Sequence, residues 1–113
     1  MFSSKSEKAT NIVLVTPTNL SVNRDLIINI KAVNKKGILD TSRNDVIKIS
    51  HNGKSITLDK TEINLIDGEE KFILHSKIPQ IIRLNADWID GISQLKDFKC
   101  ILKIGELEDL GDL

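Results

Sequence analysis

Aromatic side chains are scarce in this sequence: Phe2, Phe72, Phe98 and Trp88 are the only four, and tyrosine is absent. Base-stacking platforms and flat sugar-binding faces are built from aromatic planes, so both have little material here. Cysteine is scarcer still. Cys100 is alone, which excludes an internal disulfide without deciding the redox compartment. Neither sign of charge dominates, since 16 basic residues balance 16 acidic ones. A phosphate binder normally shows a basic excess or stripe, so no nucleic-acid partner is expected. No apolar run approaches the about 18 residues of a membrane span. The opening Met1-Phe2-Ser3-Ser4-Lys5-Ser6-Glu7-Lys8 has no apolar core and does not read as a signal peptide. Either the chain is cytoplasmic, or an anchor or leader lies outside it. Nucleophile elbows, phosphate loops and zinc-ligand spacings are also missing. An enzyme is therefore the least expected class, and no cofactor or metal is expected.

What is present is a series of short β-branched runs. The chain has 113 residues, suiting one domain, with 40% apolar and 28% charged residues. Isoleucine and valine favour strands because their branched side chains pack well on a pleated surface. Residues 1–10 are polar and read as a leader. Strands are predicted over Asn11–Thr16, Asp25–Asn34, Asp45–His51, Lys54–Leu58, Ile63–Ile66, Glu69–Ser76, Gln80–Trp88 and Leu95–Ile104. Alternation assigns the inner face: Leu26, Ile28, Ile30 and Ala32; Ile47 and Ile49; Phe72 and Leu74; Ile82, Leu84 and Ala86; Phe98, Cys100, Leu102 and Ile104. Pro17 and Pro79 interrupt strands, and Asn52-Gly53 is the strongest two-residue hairpin signal. About seven short strands with turn signals every 8–12 residues predict an antiparallel β-sandwich over 11–104. Residues 105–113 then form an acidic tail or linker.

Three segments carry a resemblance. They are Leu26-Ile27-Ile28-Asn29-Ile30-Lys31-Ala32-Val33 with its turn Asn34-Lys35-Lys36-Gly37, Ile63-Asn64-Leu65-Ile66-Asp67-Gly68 leading into Phe72-Ile73-Leu74-His75-Ser76, and Ile82-Arg83-Leu84-Asn85-Ala86-Asp87 with Asp90-Gly91. Their order resembles the bacterial immunoglobulin-like domains of the invasin and intimin kind, over roughly Ile12 to Ile104. The resemblance implies an immunoglobulin-like sandwich acting as a spacer or adhesive module in a longer surface protein, in an extracellular or cell-surface setting.

Candidate chemistry is sparse. His51 and His75 lie on different strands with no ligand at metal spacing. Cys100 alternates into the core, where a thiol is inert. Asp40, Asp45, Asp67, Asp87 and Asp90 lie in or near loops that can converge on calcium, yet Asp beside Gly is also an ordinary turn former. Trp88 ends a strand on the core face. The outward-facing apolar residues are more informative. Ile27 and Ile73 are expected to share one outer face, extended by Val33, and Ile81 and Ile101 the other, as contact surfaces for a protein partner or a neighbouring domain. In the tail, Leu107, Leu110 and Leu113 recur every third residue among four acids and no base, a pattern a docking motif would have. Asn19-Leu20-Ser21 is a glycosylation sequon if the chain is exported. The leading expectation is a non-catalytic surface or secreted module. An intracellular adaptor that docks through its tail is the alternative, and a carbohydrate-binding module comes third.

Overall fold

The computed structural model describes residues 8–105. Among them are eight strands and no helix: β1 Asn11–Val15, β2 Leu26–Val33, β3 Val46–His51, β4 Ile56–Leu58, β5 Glu62–Asn64, β6 Glu69–Ser76, β7 Gln80–Asp90 and β8 Phe98–Ile104. They form two four-stranded antiparallel sheets, ordered β1-β2-β6-β4 and β5-β3-β7-β8. The alternation read from the sequence places the core correctly. Ile28, Ile30, Ala32, Ile47, Ile49, Phe72, Leu74, Ile82, Leu84, Ala86, Leu102 and Ile104 are all buried between the sheets. The physical cause is the two-residue period of a strand, which turns each second side chain to the same face.

Two loop assignments change. Asn52-Gly53 does not close a hairpin. Strand β4 pairs with β6 in the opposite sheet, with Ile56 facing Ser76 and Leu58 facing Leu74. A two-residue hairpin of this kind needs positive φ, and neither Asn52 nor Gly53 has it. Their groups are used elsewhere: Asn52 Oδ1 accepts the Arg83 N–H at 2.8 Å, and His51 Nδ1 accepts the Gly53 N–H at 3.0 Å. A methyl at position 53 would lie 2.4 Å from Ile56 Cδ1 and 2.7 Å from Ile82 Cγ2, so a larger residue there would require those side chains to shift. The last strand also starts later than predicted. Leu95 is buried in a loop, and Lys96 makes a parallel bridge to Asn11 of the other sheet. That bridge closes one side of the sandwich. The closure extends to Ala9, which is buried, and Thr10, whose N–H donates to Val33 O at 2.8 Å.

The tight turn is at Asp67-Gly68. Asp67 has φ 53° and Gly68 has φ 89°, joining Ile66 to Glu69 across two residues. This pair carries the chain from one sheet to the other. An added methyl on Gly68 would sit 2.3 Å from the Asp40 carbonyl oxygen, which is backbone and cannot swing away. Gly68→Ala is expected to lower stability by about 1–3 kcal/mol through strain at a left-handed position, read as a drop in urea midpoint. An unchanged midpoint would refute the assigned turn.

Candidate functional site

The candidate sites are the faces and loop ends of the sandwich. Strand β2 meets β6 with Ile27 directly opposite Ile73. Ile27 is 47% exposed, and Val15 of β1 is exposed one strand over. Two open grooves flank Ile73. One, of about 450 Å³, is lined by Asp25, Thr57, Leu58, Asp59 and His75. The other, of about 200 Å³, runs between Ile27, Lys60 and Lys71. Asp59 stands between them and extends the sheet beyond β4. Its N–H donates to Ile73 O at 3.1 Å, and its carboxylate accepts the Ile73 N–H at 2.7 Å. Val33 does not extend this face. It is buried, because the following loop folds back and Leu39 bridges to it.

The other outer face carries Ile81 and Ile101, 65% and 68% exposed. Ile81 pairs with Lys103, Arg83 with Ile101, and Asn85 with Lys99. The result is an apolar pair set among three exposed cations. Nearby Lys48 has acids opposite it on both sides, Glu62 and Asp87. Among the described residues no acid is the cross-strand partner of Arg83, Lys99 or Lys103 on β7 and β8. Among the described residues these three form no ion pair.

A third region was not legible in the sequence. Arg43, in a segment that reads as a plain polar turn, is 1% exposed, and Asp45 is fully buried beside it. The guanidinium grips the carboxylate with two bonds, Nε to Oδ1 at 2.9 Å and Nη2 to Oδ2 at 2.8 Å. Its other donors reach Ser93 Oγ and the Ser93 carbonyl. The Trp88 indole N–H donates to Asp45 Oδ2 at 2.8 Å. The backbone of the same loop receives Gly68 N–H at Arg43 O and Leu65 N–H at Asp45 O. Three connections, after β2, after β5 and after β7, are thereby locked together at one end. Their tips present Ile38, Ile66 and Ile92, all exposed. The one sequence hint was the Arg43-Asn44-Asp45 spacing, which says nothing about burial.

Electrostatics follow from this geometry. Burial alone would push the Asp45 carboxyl up. Hydrogen bonds from Arg43 and Trp88, with the Arg43 charge, outweigh it and hold the group below its usual value. The hydrogen bonds to Asp45 push Arg43 up in turn. Asp40 is held low by the Ser42 hydroxyl, against its partial desolvation, with help from the Ala9 and Ser42 N–H groups. Asp40 and Asp45 are thus spent on structure, and no group of three or more His, Cys, Asp or Glu among the described residues is placed to hold a metal ion.

The remaining candidates are quickly placed. Trp88 is half-buried against the core with its indole N–H tied to Asp45, so it packs as part of the loop end and not as a freely exposed ring. Cys100 is half-buried, and desolvation raises its thiol pKa. His75 Nδ1 lies 3.2 Å from exposed Asp25, and His51 serves its own turn. Leu107, Leu110 and Leu113 lie outside the described residues.

Neither a family model nor a curated protein matches the sequence. Solved structures do match the fold. A glycosyl hydrolase family 2 member from Bacteroides cellulosilyticus superposes on 88% of this chain with a TM-score of 0.71 at 14% identity. A β-glycosidase from Bacteroides vulgatus covers 87% with a TM-score of 0.70 at 16% identity. The chain spans only 14% of each of these two proteins. The D00-D0 domain of intimin covers 88% with a TM-score of 0.61 at 12% identity, and this chain spans 49% of it. The chain is an all-β immunoglobulin-like sandwich, with the fold of the bacterial immunoglobulin-like domains that intimin and these hydrolases contain.

Proposed function

We propose that the chain is a non-catalytic module of a microbial cell-surface or secreted protein, working as a spacer or adhesive unit through protein–protein contacts. The observation that carries this reading is the fold itself, which makes up 14% of the two hydrolase chains and about half (49%) of the intimin fragment. The surface supports it. Apolar residues stand on both outer faces, exposed at Ile27, Ile81 and Ile101 and half-buried at Ile73, and two grooves open beside Ile73. The loop end adds Ile38, Ile66 and Ile92 on a rigid base. Exposed apolar groups on a rigid frame lose little entropy on contact, which favours association with a neighbouring domain or another protein. Carbohydrate binding is poorly supported because the one tryptophan is engaged.

Compartment is the cheapest test. An antibody against the purified chain is applied to intact and to permeabilised source cells, with and without protease treatment of the intact cells. The proposal expects labelling of intact cells, or of the culture medium, and loss of the cell-bound signal on protease treatment. A signal that appears only after permeabilisation and resists protease overturns it, and leaves the intracellular adaptor as the better reading.

A further inference from the structure

We propose that the β7–β8 outer face is the docking surface for the acidic segment 106–113 of the same chain. The face is unbalanced in a specific way. Arg83, Lys99 and Lys103 surround Ile81 and Ile101, and among the described residues no acid pairs with any of the three cations. The segment has the complementary composition: Glu106, Glu108, Asp109 and Asp112 with Leu107, Leu110 and Leu113, and no base. Charge and apolarity therefore match together, acid to cation and leucine to isoleucine.

Position favours the same chain over a second copy. The segment begins directly after β8, whose last outward residue, Lys103, belongs to the face itself. Gly105 has φ 89°, a turn conformation, and its N–H is held by Leu20 O at 2.7 Å. Eight residues reach up to about 26 Å, whereas Lys99 lies only about 13 Å back along the strand from Lys103. Attachment this close gives an effective concentration on the order of millimolar, well above that of a separate molecule in dilute solution. The inference stands independently of the proposed surface role, because it concerns contacts within one chain.

The test uses the full chain and its amide NMR spectrum. One variant neutralises the segment, with Glu106→Gln, Glu108→Gln, Asp109→Asn and Asp112→Asn. A second neutralises the face, with Arg83→Gln, Lys99→Gln and Lys103→Gln. The decisive signals are the amides of Ile81 and Asn85, far from the segment in sequence and unaltered in both variants. They are expected to move in the same direction in the two variants and on adding salt to the unmodified protein, and to stay fixed on dilution. Signals at Ile81 and Asn85 that ignore neutralisation of the segment overturn the proposal. Signals that shift on dilution overturn it too, and assign the face to a second copy.

Discussion

Replacing Arg43 with alanine is expected to lower folding stability by about 3–5 kcal/mol, the usual cost of leaving one member of a buried ion pair without its partner. Asp45 is fully buried, so it cannot turn to water when the guanidinium is gone. The same change frees the Ser93 anchor, detaching the loop after β7 from the loop before β3. Urea unfolding should show a lower midpoint at an unchanged slope. A loss below about 1 kcal/mol, typical of a surface pair, would show that the pair is solvated after all. Replacing both members by apolar residues, Arg43→Met with Asp45→Leu, should recover a large part of the loss, since no buried charge then remains. The pair also sets the acid response. Asp45 has a lowered pKa, so its contribution is fully present above the ordinary carboxylate value of 3.8 and is lost as the pH falls through the lower folded value. Asp45→Asn should accordingly show a shallower decline of stability with acid than the parent protein.

The second large effect is expected at Phe72. It is fully buried at the middle of β6, directly opposite Ile28 of β2, and its ring fills the space between the sheets. Phe72→Ala removes that volume from a close-packed core of isoleucine and leucine that can relax only partly into the gap. The expected loss is about 3–5 kcal/mol, out of a typical domain stability of about 5–15 kcal/mol. Half-buried Phe98 provides the internal comparison, and its truncation should cost distinctly less. Equal losses at the two positions would contradict the assigned core.

Much of this architecture was legible because strands advertise themselves by alternation. Ile28, Ile30, Phe72, Leu74, Ile82 and Leu84 were placed inward on spacing alone, and all are buried. The pairing of Ile27 with Ile73 was also within reach, since it follows from immunoglobulin-like strand order once the strands are known. Turn chemistry was a poorer guide. Asn52-Gly53 and Asp67-Gly68 carry nearly the same local signal, yet only the second makes the tight turn. Both dipeptides permit positive φ, and contacts distant in sequence decide whether it is used: Arg83 takes the Asn52 side chain, while Asp40 crowds Gly68. Val33 was read outward from its place in β2, and a loop covers it instead.

By itself, then, the sequence determined the fold class, the inner face of nearly every strand and the absence of a disulfide framework, because each depends on local composition and a two-residue period. Only the tertiary structure decided which strand joins which sheet, that β4 crosses over to β6, and that Arg43 and Asp45 are buried together. Those outcomes come from long-range partners. Arginine and aspartate in a polar loop look solvated until Trp88 and Ser93, more than 40 residues away, close over them.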